Sequence, residues 1–188
     1  MKVEQTKLQG CYLIHDNVYK DERGYFFESY NELAFKKNTG LNVNFIQDNQ
    51  SHSFKGVLRG LHFQVGEFSQ AKLVRVLKGT VLDVAVDIRQ NSPTYGQYLA
   101  VELSESSGTQ LFIPRGFAHG FVVLSETADF FYKCDNYYNK NFEGGILYND
   151  PAINIDWQFK IEDLIVSTKD KQLPLLENLK GSNSFEVQ

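Results

Sequence analysis

Leu73-Val74-Arg75-Val76-Leu77-Lys78-Gly79-Thr80-Val81-Leu82-Asp83-Val84-Ala85-Val86-Asp87-Ile88 is the run on which the fold turns. Aliphatic and β-branched residues fill both halves, and Lys78-Gly79 between them supplies a turn. The run therefore predicts strands at 73–77 and 80–88 joined as a hairpin. The second arm alternates, with Leu82, Val84, Val86 and Ile88 on one face and Asp83, Ala85 and Asp87 on the other. Working outward, further strands are expected at 98–103, 110–113, 120–124 and 129–136. Turn signals such as Asn91-Ser92-Pro93 and Ser106-Ser107-Gly108 separate them. Upstream, 11–30 reads as a strand, a turn at Asp21-Glu22-Arg23-Gly24 and a second strand over 25–30. A short helix over 31–37 follows, capped by Asn31. Many short strands at regular spacing predict an all-β sandwich or barrel, best a double-sheet jelly roll. The segment from about Trp157, with Leu164, Ile165, Leu173, Leu175 and Leu176, is expected to form one or two short helices outside the barrel.

A chain of 188 residues suits one domain, 1–188, with a sizeable core. Ten Tyr and fifteen Phe, with few Ala/Leu/Glu/Lys blocks, lean the composition towards β. A net charge of −4 argues against a nucleic-acid binder, which needs a basic face, but leaves room for a small anion held by a local basic cluster. Cys11 and Cys134 stand far apart without a CxxC or Cys/His pairing, which speaks against a disulfide framework or zinc site and for a reducing compartment. The polar N-terminus lacks a signal-peptide core and no apolar run reaches membrane-spanning length, so a cytoplasmic protein without a membrane partner is expected.

The stretch from Gln47-Asp48-Asn49-Gln50-Ser51 to Arg59-Gly60-Leu61-His62-Phe63-Gln64 sets amides, a guanidinium and an imidazole into a strand-like run. Arg59 and His62, three apart, would point to opposite faces of a regular strand. Gly60 between them can bulge the strand and re-aim one side chain, which marks a strand that faces a ligand.

A jelly roll with Pro114-Arg115-Gly116-Phe117-Ala118-His119 before a strand suggests a cupin. Metal-binding cupins carry a His-x-His pair, a nearby Glu and a later His. Here His62 stands alone and His119 takes the later place, so no metal is expected.

The match extends to one family. Asp21-Glu22-Arg23-Gly24-Tyr25-Phe26-Phe27-Glu28-Ser29, Gln47-Asp48-Asn49, Arg59-Gly60-Leu61-His62-Phe63-Gln64 and Ala71-Lys72-Leu73-Val74-Arg75-Val76 resemble the dTDP-4-dehydrorhamnose 3,5-epimerases. Asp83 to Arg89, Ser92-Pro93-Thr94-Tyr95-Gly96, Ile113 to Phe121, Tyr132-Lys133, Asn149-Asp150-Pro151, Ile155-Asp156-Trp157 and Ser167-Thr168-Lys169-Asp170 follow in the family's order. The resemblance implies a cofactor-free, metal-free homodimer that epimerises both carbons flanking the ketone of dTDP-4-dehydro-6-deoxy-D-glucose. It also implies roles. His62 is the base, oriented by Asp170, with Asp83 the competing carboxylate; Lys72 stabilises the enolate and Tyr132 is the acid on the opposite face. Arg23, Glu28, Gln47, Asp48, Asn49, Arg59, His119, Glu143 and Lys169 match positions that hold the nucleotide diphosphate and sugar, with Lys72 beside them. Phe26 and Tyr138 match positions that pack on sugar or thymine.

Taken singly, these residues read as ordinary structure: His62 as a bonded barrel residue, Tyr132 as aromatic core, Lys72 as a snorkelling rim lysine and Asp170 as part of a solvated Lys-Asp-Lys run. Their joint occurrence in one order is what favours chemistry. The alternatives are an epimerase acting at only carbon 3 or carbon 5, a sugar-nucleotide 3,4-ketoisomerase, and a non-catalytic sugar-nucleotide binder. An open sheet edge near the aromatic N-terminal strands offers a place for a second copy.

Overall fold

Gly79 sends the chain from one sheet into another. In the computed structural model, which describes residues 1–179, the strands flanking it are β7 (Lys72–Lys78) and β8 (Thr80–Asp87). In chain order the others are β1 (Lys2–Gln5), β2 (Tyr12–His15), β3 (Tyr19–Asp21), β4 (Gly24–Phe26), β5 (Gln47–Phe54), β6 (Val57–Gln64), β9 (Tyr98–Ser104), β10 (Thr109–Ile113), β11 (Phe117–Val123), β12 (Thr127–Cys134), β13 (Glu143–Gly145) and β14 (Ile165–Val166). One six-stranded sheet runs β1-β2-β10-β7-β12-β5. The facing sheet runs β13-β6-β11-β8-β9, with β14 added in parallel to β6. This is the expected all-β, cupin-like architecture.

The hairpin predicted across 73–88 is therefore corrected to an arch. Its two arms pack face to face across the interior, Val74 and Val76 of β7 in one core with Val81 and Ala85 of β8. Gly79 permits the crossing. Its φ is +80°, and a Cβ there would collide with the Thr127 carbonyl oxygen. Strand β8 is buried on both faces: its Leu82, Val84 and Val86 side belongs to a second core with Trp157, Leu164, Val166 and Leu176. Trp157 is fixed there by its indole N–H, which donates to the Tyr148 carbonyl at 2.8 Å. Each large side chain so covered contributes about 1.5–3 kcal/mol. Residues 157–179 thus roof the second sheet. They do so with three short 3-10 turns (Ile161–Asp163, Asp170–Gln172, Leu176–Leu179) and β14, more broken than the one or two helices expected. Pro174 and turns of three or four residues cannot sustain a longer helix. Residues 180–188 of that expectation lie outside the described ones.

On the outer face of the first sheet, helix α1 (Glu32–Thr39) buries Phe35 against Ile14, Leu73 and Phe112. Asn31 caps it, its side chain accepting from the Ala34 N–H at 3.0 Å, and Gly40 in the left-handed region ends it. The strand expected over 25–30 is shorter, stopping at Phe26. β3 and β4 pair only with each other, so this two-stranded ribbon has no sheet to extend it, and Tyr19, Tyr25 and Phe26 are exposed on it. Cys11 and Cys134 are free and buried.

Candidate active site

Between Arg59 and His62 the ladder slips. His62 pairs with His119 of β11, and Arg59 pairs with Phe121, so two residues of β6 face one of β11. The extra residue turns an odd spacing into a shared face, and both side chains point inward with His119 and Phe121. Gly60 makes this possible. Its φ is +122°, and a Cβ would lie 2.6 Å from the Gly120 Cα. The Gly145–His62 and Glu143–Gln64 pairs bring Glu143 to the same side.

The first sheet answers from across the interior. Cross-strand pairs Tyr132–Val74, Tyr132–Asn49, Cys134–Lys72 and Cys134–Gln47 put Lys72, Tyr132, Asn49, Gln47 and Cys134 on the inward face, in line with buried Val74, Val76 and Phe130. Imidazole and guanidinium thus arrive from one sheet, phenol and ammonium from the other.

Two His–Asp pairs occupy the second sheet's side. Asp170 Oδ1 lies 2.7 Å from His62 Nε2, and its Oδ2 accepts from the Gly60 N–H at 3.3 Å. Burial pushes the Asp170 carboxyl up, but its hydrogen bonds and the His62 charge outweigh this and hold it below the usual carboxylate range. Asp83 serves the other imidazole, with Oδ2 at 2.9 Å from His119 Nε2. In this geometry the carboxylate bonded to His62 is that of Asp170, and Asp83 is bonded to His119. Burial pushes His119 down, against the pull of Asp83. Among the described residues Asp83 Oδ1 has no hydrogen-bond partner.

Lys72 Nζ sits 5.7 Å from the centre of the Tyr132 ring, and no carboxylate pairs with it among the described residues. Burial lowers its pKa; Cys134, Asp83 and Glu143 pull it back. Burial also pushes the Tyr132 phenol up to about 12, so it keeps its proton at neutral pH. At the rim, Glu143 Oε2 accepts from Tyr138 Oη at 3.0 Å and from Lys169 Nζ at 2.6 Å. Gln47 and Asn49 are bonded to each other, and Gln47 Oε1 accepts from the Tyr138 N–H.

Four of the expected residues lie elsewhere. Asp48 alternates onto the opposite face of β5, where Lys133 Nζ donates to it at 2.9 Å. Arg23 is exposed on the ribbon, bonded to Asp21, with Phe26 and Glu28 exposed beside it. Phe27, between Phe26 and Glu28, packs under Arg75, which faces away from the inward-pointing Val74 and Val76. Three residues enter that the sequence reading did not single out. Ser53 Oγ accepts from Arg59 Nε at 3.1 Å; its parity with Gln47 and Asn49 was the available signal. Gln64 Oε1 accepts from the Asn139 N–H at 2.8 Å and steadies the rim, and Ser167 Oγ accepts from the Asp170 N–H. Among the described residues no group of three or more His, Cys, Asp or Glu converges as a metal site, and no helix is long and apolar enough to cross a membrane.

Residues 5–178 match the family model described as dTDP-4-dehydrorhamnose 3,5-epimerase. The Salmonella typhimurium enzyme of that name is 53% identical over 178 residues, 94% of this chain and 96% of the other. A crystal structure of the Legionella pneumophila 3,5-epimerase in complex with dTDP-4-keto-L-rhamnose superposes with a TM-score of 0.95 at 45% identity, covering 100% of this chain and 98% of that one. A 3'-monoepimerase from Streptomyces bikiniensis, in complex with dTDP-quinovose, shares the fold with a TM-score of 0.89 at 27% identity, over 97% and 91% of the two chains. Matched over nearly its whole length by sequence and by fold, the chain belongs to the dTDP-4-dehydrorhamnose 3,5-epimerase family.

Proposed function

We infer that this chain is an isomerase that inverts carbons 3 and 5 of dTDP-4-dehydro-6-deoxy-D-glucose, giving dTDP-4-dehydro-L-rhamnose. The observation that carries the mechanism is the opposition of His62, bonded to Asp170, on one sheet to Tyr132 on the other, with Lys72 beside the phenol. A hydrogen next to a ketone is weakly acidic, so its removal needs a base and a stabilised enolate. His62 takes the proton from one face of the sugar. The Lys72 ammonium, half-buried at the start of β7, meets the enolate oxygen where charge counts for more than in bulk solvent. Tyr132 returns a proton from the other face. Arg59, held by Ser53, and Lys169 take the diphosphate and nucleotide, with Gln47, Asn49, His119, Glu143 and Tyr138 around them. Lys72 supplies the positive charge a metal would otherwise give, so activity is expected to survive chelation.

Arg23, Phe26 and Glu28 match ligand-holding positions yet are exposed on the ribbon or just after it. A homodimer in which the ribbon of one copy reaches the site of the other reconciles the two facts, and it covers the exposed Tyr19, Tyr25 and Phe26.

Proton NMR of the reaction in deuterated buffer tests the reading. Deuterium at both carbons 3 and 5 is expected. Label at one carbon only would make the chain a monoepimerase like the Streptomyces bikiniensis relative, and no label would overturn an enolate route.

A further inference from the structure

Asp170 reaches His62 from a short turn, and Ser167, which opens that turn, has no part in the reaction scheme. β14 runs parallel to β6, with Val166 beside Leu58, and delivers the chain one residue later at Ser167. There the Ser167 hydroxyl accepts from the Asp170 N–H at 3.1 Å, and its carbonyl accepts from the Lys171 N–H at 3.1 Å. The Lys169 carbonyl accepts from the Gln172 N–H at 3.1 Å. Ser167 is therefore bonded twice to the backbone just after Lys169, at Asp170 and Lys171, and the Lys169 ammonium joins Glu143 and through it Tyr138. The same turn holds the base's carboxylate and the rim's lysine.

We propose that Ser167 is a positioning residue for proton transfer: its hydroxyl fixes the 167–172 turn so that Asp170 holds the His62 ring on line. The proposal rests on the epimerase reading given above. Ser167 itself is exposed, but the N–H it accepts from belongs to buried Asp170, so removing the hydroxyl loosens this turn and lowers the urea midpoint while the two sheets stay intact. It frees the Asp170 backbone to move, and a displacement of the order of an ångström at a reacting group can cost up to about a hundredfold in rate.

The test measures solvent-deuterium exchange and inversion for the full chain and for Ser167→Ala, Ser167→Thr, Asp170→Asn and the Ser167→Ala/Asp170→Asn pair, with dTDP binding by calorimetry. Ser167→Ala should lower kcat by about ten- to a hundredfold and change KM and dTDP affinity far less, since Lys169 is also tied to Glu143. Ser167→Thr, which keeps the hydroxyl, should recover most of the rate. The double variant should be no slower than Asp170→Asn, because Ser167 acts through that carboxylate. Wild-type kcat in Ser167→Ala, or losses that multiply in the double variant, would overturn the proposal. So would a loss confined to dTDP affinity. Exchange by the wild-type chain is the control: its absence would count against the epimerase reading and not against Ser167.

Discussion

The two His–Asp pairs share one chemistry and differ in surroundings. The His62 side chain is 32% exposed and its carboxylate comes from the C-terminal turn; His119 is 7% exposed and Asp83 fully buried on the neighbouring strands β11 and β8. The first imidazole is half-buried, with Asp170 on one ring nitrogen. The second is closed in by Phe130, stacked at 5.9 Å, and by the charges of Asp83, Lys72 and His62. A base needs access and a partner that keeps its ring aligned; a structural or ligand-holding imidazole needs burial and a bond. On that contrast, substitutions at the first pair should act on rate and those at the second on stability.

The largest effect is expected at His62. His62→Asn should abolish deuterium incorporation at both carbons, a loss of about 10²–10⁴ or more, since a general base supplies at least that much. Thermal melting and dTDP binding should stay close to wild type. Near-wild-type exchange would remove the functional half of the contrast. Tyr132→Phe comes next and separates the faces of the sugar. His62 can still remove and return a proton on its own side, so exchange should persist while inverted product nearly disappears. Full-rate inversion would make a water or another residue the acid.

Much of this was legible in the sequence, for local reasons. Strand alternation and the Asn31 cap depend on neighbouring residues, and helix α1 and the strands from 72 to 134 lie close to where periodicity put them. By contrast, β1 and β13 carry no such signal, and the strand expected over 25–30 is cut short. Partner choice does not: Lys78-Gly79 suits a hairpin or an arch, and only the burial of both faces of β8 decides it. Likewise the Gly60 bulge could be read from an odd spacing around a glycine. Asp170 in a Lys-Asp-Lys run gives no such sign, because its meaning depends on a contact 108 residues away. Ser167 and Ser53 are single hydroxyls without a spacing pattern, and their function exists only in the folded turn and strand.

Asp83→Ala sharpens the structural half. It leaves the buried His119 N–H without its acceptor, which costs about 1–3 kcal/mol, read as a lower urea midpoint. Asp170→Ala, whose partner His62 can turn to water, should shift that midpoint less while losing far more rate. Equal destabilisation by the two would erase the difference between the pairs.

The smallest effect, and the finest discriminator, is the pH dependence of stability. His119 is pushed below its ordinary value of 6.5 mainly by burial, with Lys72 and His62 adding to the shift and Asp83 opposing it. The unfolded chain therefore takes up this proton at higher pH than the folded one. Stability from this group is complete above about 6.5 and declines as pH falls from there towards the folded value. Asp170 is held below its ordinary 3.8, so its contribution is complete above that value and is lost only as pH falls through the depressed one. The two pairs should thus give two separate acid limbs. His119→Gln should flatten the one that begins near 6.5, and Asp170→Asn only the one below 3.8. Urea midpoints measured from pH 7.5 to 3 would check this. A limb near 6.5 that persists in His119→Gln would assign it to another histidine and make the buried pair no more pH-sensitive than the exposed one.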